Sequence, residues 1–231
     1  MIIERKMFHV KQFNANIELF NVYASFLLTE NAKYNLTSIT EPEEIQQKHF
    51  IDSLMLLEIA AVAQGETLLD VGSGAGFPGV PLKIARPDLQ VSLLESTAKK
   101  AAFLRLLGER LGLEFEVINA RAETAAHQPE LRGQFDWVVS RAVAALPLLC
   151  ELCLPFVKPG GTFAAYKGTH ERTEQELSQA KHAIELLGAE IAGMKSEQTI
   201  YGERTILMLK KISQTPRNYP RNGGMMRKKP L

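Results

Sequence analysis

The stretch TLLDVGSGAGFPG, residues 67–79, decides how this chain folds. Leu68, Leu69 and Val71 make a short apolar run that opens directly into glycines at 72, 74, 76 and 79. Glycines there let the backbone turn sharply and approach a ligand at the carboxyl end of a strand, where open α/β sheets bind. Outward from this point, short apolar runs alternate with helical stretches. Strands are expected over 67–71, 91–95, 115–119, 136–140 and 161–167, which argues for right-handed βαβ units around a parallel sheet. The clearest helix spans 97–111, with Ala101, Leu104 and Gly108 on one face. After a long helix over 170–187, two strands (189–195 and 203–211) follow without a crossover helix, so an antiparallel pair is expected at the sheet edge.

Residues 1–65 read as a helical extension. Ile17, Phe20, Ala24, Leu27 and Leu28 recur at helical spacing, and a second helix is announced by Thr40, Pro42, Glu43 and Glu44 and is expected to run through His49 and Asp52 toward Ala63. The sheet domain then covers 66–212, and 213–231 reads as a basic tail, lacking apolar periodicity and rich in proline and glycine. There is no internal repeat.

With 231 residues and 45% hydrophobic composition the chain can build a sizeable core, and 23% charged residues exclude a disordered one. The net charge of +1 is a sum of opposed parts. Residues 1–209 carry 20 basic against 26 acidic side chains, while 210–231 carry seven basic and no acidic ones. That asymmetry points to a polyanionic partner or to a solubilising tail. The start MIIERKMFHV has no secretory pattern, and the most apolar stretch, 54–63, contains Glu58 and is too short to span a bilayer. A soluble cytoplasmic protein with no membrane partner is expected. Cys150 and Cys153 form a C-x-x-C, but LPLLCELCLPF reads as a buried helix and no second Cys or His pair has ligand spacing, so reduced structural thiols and no metal are expected.

By itself the glycine loop is ambiguous, because Gly74, Gly76 and Gly79 satisfy the dinucleotide spacing G-x-G-x-x-G. A pyrophosphate, however, wants free amides at a helix N-terminus, and Pro78 and Pro81 each remove a donor there. S-adenosylmethionine has no phosphate and carries a sulfonium, so it needs close backbone approach and nearby carboxylates. Asp70, in D-x-G-x-G, and Glu95, closing the second strand, are expected to supply them, Glu95 to the ribose hydroxyls. A mostly parallel sheet ending in an antiparallel pair is also the architecture of methyl-donor enzymes.

The segment LLDVGSGAGFPGVPLKIARPDLQVSLLESTAKKAAFLRLL, followed by NARAE and FDWVVSRAVA, resembles the bacterial small-subunit rRNA guanine-N7 methyltransferases, the RsmG or GidB family. YNLTSI, KHFIDSL, KPGGTFAAYKG and the closing YPRNGG…KKPL resemble the same family, so the likeness covers nearly the whole chain. It implies a class I, Rossmann-like methyltransferase fold with a seven-stranded sheet, and S-adenosyl-L-methionine as cofactor. It also implies methylation of a guanine N7 of the 527 type in 16S rRNA. Carried over by position, it implies cofactor contacts at Gly72, Phe77, Ala122, Glu123 and Arg141, beside Asp70, Gly74, Gly76 and Glu95 of the loop and second strand.

Methyl transfer is a direct displacement and guanine N7 offers a free lone pair, so no general base is needed and the site contributes proximity, alignment and electrostatics. Ser140-Arg141-Ala142-Val143 agrees, since it lacks the Asn/Asp-Pro-Pro-aromatic signature of amino-group methylases. Arg141, the one catalytic candidate, could neutralise the cofactor carboxylate, donate to guanine O6 or form a structural ion pair. His49 reads as a core or cap histidine. In A-form RNA N7 lies in a deep, narrow groove, so the target guanine must be looped or splayed out. Phosphate contacts are expected from Lys99, Lys100, Lys167 and Arg204 and from the tail residues Arg217, Arg221, Arg227, Lys228 and Lys229, with deletion of the tail sparing cofactor affinity. The partner is then 16S rRNA, the small subunit or an assembly intermediate, met by a monomer. A nicotinamide oxidoreductase and a non-catalytic assembly factor are the alternatives.

Overall fold

The computed structural model describes residues 16–231. Its centre is one seven-stranded sheet in the order β3-β2-β1-β4-β5-β7-β6. The strands are β1 (Thr67–Val71), β2 (Gln90–Leu94), β3 (Glu116–Ile118), β4 (Phe135–Arg141), β5 (Val157–Lys167), β6 (Ala189–Thr199) and β7 (Gly202–Lys211). β1 to β5 are parallel, whereas β7 runs antiparallel to both β5 and β6. Strand order reverses at β1, which lies between β2 and β4, so the carboxyl ends of these strands flank the crevice where ligands of such sheets are bound.

Alternation along the strands divides the interior into two cores. Leu68, Trp137, Val139 and Tyr166 face one side; Leu69, Val71, Val138 and Phe163 face the other. The first side is covered by α1 (Ile17–Tyr34), α5 (Gly79–Ala85) and α6 (Ala98–Leu111), together with a broken helical segment. That segment runs through α2 (Pro42–Ile45), a π-helical turn (Gln46–Ile51), α3 (Asp52–Leu54) and α4 (Leu56–Ile59). Phe20, Tyr23, Leu27, Ile45, Phe50 and Leu54 share one core with β1 and β2, so the N-terminal helices are integral to the sheet domain. The second helix thus differs from the continuous one expected toward Ala63. In α1 the buried stripe is Phe20, Tyr23 and Leu27, and Ile17 is exposed.

The second side is covered by α8 (Leu146–Cys153) and α9 (His170–Leu186), with the short α7 (Ala122–Ala125) near its edge. Cys150 and Cys153 are free and buried in α8; burial pushes the Cys150 thiol up to about 12 and Cys153 upward as well, so both are inert. Among the described residues no helix is long and apolar enough to cross a membrane.

The segment after β7 is not the detached tail expected from its composition. It is a strap that returns along the body and ends in α10 (Gly223–Lys228), capped by Asn222, whose side chain accepts from Met225 N. Arg132 holds it by donating to the carbonyls of Thr215, Pro216 and Tyr219, and His127 Nε2 bonds Pro220 O. Arg221 chelates the buried Glu151 of α8 through Nε and Nη2, at 2.9 and 2.7 Å. Of its five cations, Arg221 is therefore paired, and Lys211, the last residue of β7, is buried against Leu187 O and Thr215 Oγ1. A strap has to follow the surface of the body, and carbonyl clamps leave no apolar period in a sequence.

Candidate functional site

The loop after β1 spends most of its amides on the protein. Gly72 N and Ser73 N donate to Leu94 O, Gly74 N to Glu95 Oε2, Gly76 N and Phe77 N to Ser73 O, and Gly79 N to Asp70 Oδ2, all at 2.7 to 3.2 Å. A dinucleotide pyrophosphate would need such amides turned outward. Glu95 also accepts from Thr97 N, so its carboxylate spans the loop and the start of α6; it is buried and lines neither recess, so it is not presented to a ribose as the sequence reading expected.

Asp70 is fully buried beneath the loop and lines no part of the cleft, which corrects the expectation of a carboxylate beside the ligand. Burial pushes its carboxyl up to about 7, against the pull of the Gly79 amide and the Arg141 charge, and Oδ1 has no hydrogen-bond partner. Its role is to shape the loop. Gly76 is likewise structural: a Cβ there would meet Tyr23 Oη at 2.6 Å, and that hydroxyl donates to Ala75 O at 2.5 Å.

Two recesses meet at the loop. An open cleft of about 830 Å³ is lined by Gly72, Gly74, Phe77 and Arg141, with Thr37, Lys48, His49 and Asp52 from the N-terminal helices. A smaller pocket of about 190 Å³ lies between the ends of β1 and β2, the turn carrying Ala122 and Glu123, and α10. Both include Gly72, Val143 and Ala144, so the junction is a single point on the loop. Gly72 has φ +75°, and an added Cβ would lie 2.5 Å from Val143 Cγ2. Only glycine fits.

Arg141, closing β4, reaches into the open cleft. Nη1 pairs with Asp52 Oδ2 at 2.7 Å and bonds Lys48 O at 3.2 Å, while Nη2 lies 3.2 Å from His49 Nδ1. The guanidinium also stands 5.0 Å over the Phe77 ring. Among the three parts open to Arg141, the ion pair is the one present. His49 is not merely a core residue: its ring stacks on Phe77 at 4.3 Å and lines the cleft. Arginine can only donate, so His49 Nδ1 accepts and the ring proton sits on Nε2, facing Thr37 Oγ1 at 2.9 Å. Burial and the Arg141 charge lower His49 to about 3, so the ring is neutral. Sequence reasoning missed His49, Asp52 and Lys48 as site residues. The available signal was their clustering in KHFIDSL, polar side chains in a segment otherwise read as packing.

The expected basic residues are dispersed. Lys100, Lys167 and Arg204 line the open cleft, but Lys167 is committed to Glu176 at 2.6 Å and to Ala144 O, and Arg204 lies 3.5 Å from Asp52. Lys99, Arg217, Lys228 and Lys229 are exposed outside both recesses, and the exposed Arg227 borders the small pocket.

A sheet of this order, with a glycine loop after its first strand and an acid after its second, defines a class I methyltransferase. The solved structures similar to it include M. jannaschii TYW2 in complex with AdoMet, at TM-score 0.54 and 15% identity, covering 70% of this chain and 73% of that one. TrmN from Thermus thermophilus is another, at TM-score 0.54 and 17% identity over 70% of this chain and 48% of that one. Within that class the chain belongs to the rRNA small subunit methyltransferase G family, GidB, whose model matches residues 16–205. Its relatives named ribosomal RNA small subunit methyltransferase G include that of Lachnoclostridium phytofermentans, 46% identical over 93% of this chain and 89% of the relative. That of Desulfitobacterium hafniense is 44% identical over 99% and 95%.

Proposed function

We propose that the protein transfers a methyl group from S-adenosyl-L-methionine to guanine N7 at one site of 16S rRNA, the 527-type guanine, in the cytoplasm and as a monomer. The observation that carries this reading is the junction at Gly72, where a small pocket of about 190 Å³ and a wide cleft share Gly72, Val143 and Ala144 beside a loop most of whose amides are already used. The residues fit the cofactor. Gly72 brings bare backbone to the junction, Glu95 braces the loop from within by accepting from Gly74 N and Thr97 N, and no ring of amides demands a phosphate. When bound, the cofactor supplies an electrophilic methyl group on a sulfonium.

Gly72 and Gly74 would hold the amino-acid portion, with Ala122 and Glu123 at the purine end; Glu95 would have to release Gly74 N or Thr97 N to meet the ribose. Guanine N7 carries a free lone pair, so no residue has to remove a proton, and a neutral His49 is consistent with that chemistry. Arg141 supplies fixed positive charge at the cleft and would orient the guanine by its O6 while leaving N7 open; a bidentate grip on both atoms would block transfer. Lys99, Lys100, Arg217, Arg227, Lys228 and Lys229 are the candidate phosphate contacts. Lys48, Lys167, Arg204 and Arg221 have protein partners and would have to exchange them.

The test combines calorimetry with S-adenosylhomocysteine and with NAD, and a methylation assay on naked rRNA and assembled small subunits with mass mapping of the product. Binding of S-adenosylhomocysteine and a single new N7-methylguanosine are expected. Binding of NAD alone would reassign the loop, and cofactor binding with no methylation of either substrate would leave an assembly factor.

A further inference from the structure

We infer that the strap is part of the cofactor site: α10 walls the purine end of the small pocket, and Met226 and Gly223 are cofactor-contacting residues held in place by Arg221. This rests on the methyl-donor reading above and extends it to a segment outside the matched family region, which ends at residue 205.

Three independent contacts place the wall. Met226 is almost fully buried, at 1% exposure, and lines the pocket opposite the ends of β1 and β2. Gly223 lies so close to Glu123 that an added Cβ would stand 2.5 Å from Oε1, so the helix meets the turn after β3 without an intervening side chain. Behind them Arg221 grips Glu151, which is 0% exposed, with its backbone N–H donating to the same carboxylate at 2.7 Å. Breaking that grip would leave Glu151 buried and unpaired, so the strap has a strong reason to stay docked. Arg132 fixes the strap farther back.

The chemistry of the pocket suits a purine. Leu94, Leu148, Leu152 and Met226 give it apolar faces, while Ser96 and Glu123 bring polar groups to its edge. A flexible thioether against a flat ring is a favourable, adaptable contact. Arg221, Arg132 and Glu151 touch no cofactor and are positioning residues. The basic segment read from sequence as a separate RNA clamp is thus tied to cofactor binding, and its deletion would not spare cofactor affinity.

The test is calorimetry of full-length protein with S-adenosylhomocysteine, alongside thermal melting. Met226→Trp, which fills the pocket, and Gly223→Val, which pushes α10 from Glu123, should each weaken binding by about tenfold or more, with the melting temperature close to wild type. Met225→Ala, on the exposed side of the same helix, should bind as wild type does. Met226→Ala should bind N6-benzyl-S-adenosylhomocysteine better than the wild type does, a gain that no folding defect provides. Undiminished affinity in Met226→Trp and Gly223→Val, or no gain in Met226→Ala, overturns the inference while leaving the methyl-donor reading intact. Wild-type protein that takes up no S-adenosylhomocysteine overturns both.

Discussion

Arg141 Nη1 lies 2.7 Å from Asp52 Oδ2, with both side chains largely buried, and this pair ties the end of β4 to the N-terminal helices. Arg204 leans on the other oxygen of the same acid at 3.5 Å. Removing Asp52 leaves two cations facing each other in a partly dehydrated site. Asp52→Ala should therefore cost about 3 kcal/mol in urea unfolding, the scale of breaking a buried pair. Arg141→Ala in the same background should cost far less than it does alone, and a double-mutant cycle checks this coupling.

Gly72 and Val143 bring the loops after β1 and β4 into van der Waals contact. Gly72→Val should abolish binding of S-adenosylhomocysteine by occupying the junction of the two recesses. Gly72→Ala should destabilise the fold, and adding Val143→Ala should recover the part due to the clash. The part due to the positive φ, roughly 1 kcal/mol, should remain. Calorimetry and thermal melting of the three variants separate these contributions.

Tyr23 is buried under the loop, bonds Ala75 O and stacks on Phe77 at 5.3 Å. Tyr23→Phe keeps the stack and orphans a buried carbonyl, so stability should fall by about 1–2 kcal/mol. Amide exchange at residues 73–77 should speed up more than exchange in β5, which distinguishes a loosened loop from a global loss.

Lys211 is lowered to about 7 by burial, with the Arg132 charge adding to the effect. Between about 7 and its ordinary value of 10.5 the unfolded chain binds the proton and the folded chain does not. Stability should therefore rise with pH across that window, by up to about 1.4 kcal/mol per pH unit, and this contribution should be flat below it. Lys211→Met should remove the slope, as seen in the difference between the two proteins' urea unfolding at pH 7 and pH 9.

The central strands β1, β2, β4 and β5 were legible in the sequence because a strand buried on both faces reads as an apolar run, whereas the edge strands β3 and β6 are only partly buried. Boundaries shifted where local chemistry misled. β5 begins at Val157 although Pro159, Gly160 and Gly161 look like a turn, and its pairing with β4 shifts register there, between Phe135 and Trp137. The glycine loop was legible for the same reason that it is functional, since its backbone geometry tolerates few other residues. The site's other half was not. Lys48, His49 and Asp52 come from a π-helical turn and the start of α3, and their orientation depends on packing against Phe77 and Arg141, which lie far away in sequence. The strap was hidden because Arg132 and Arg221 hold it through carbonyls and one carboxylate, contacts that hydrophobic periodicity does not report.

The small pocket draws its walls from residues 71 to 227, and Met226 and Arg227 are the last of them to be made. α10 begins only twelve residues after β7 ends at Lys211. The last strand of the sheet and the last wall of the small pocket therefore leave the ribosome almost together. Closing the sheet and completing the pocket are concurrent late events of folding.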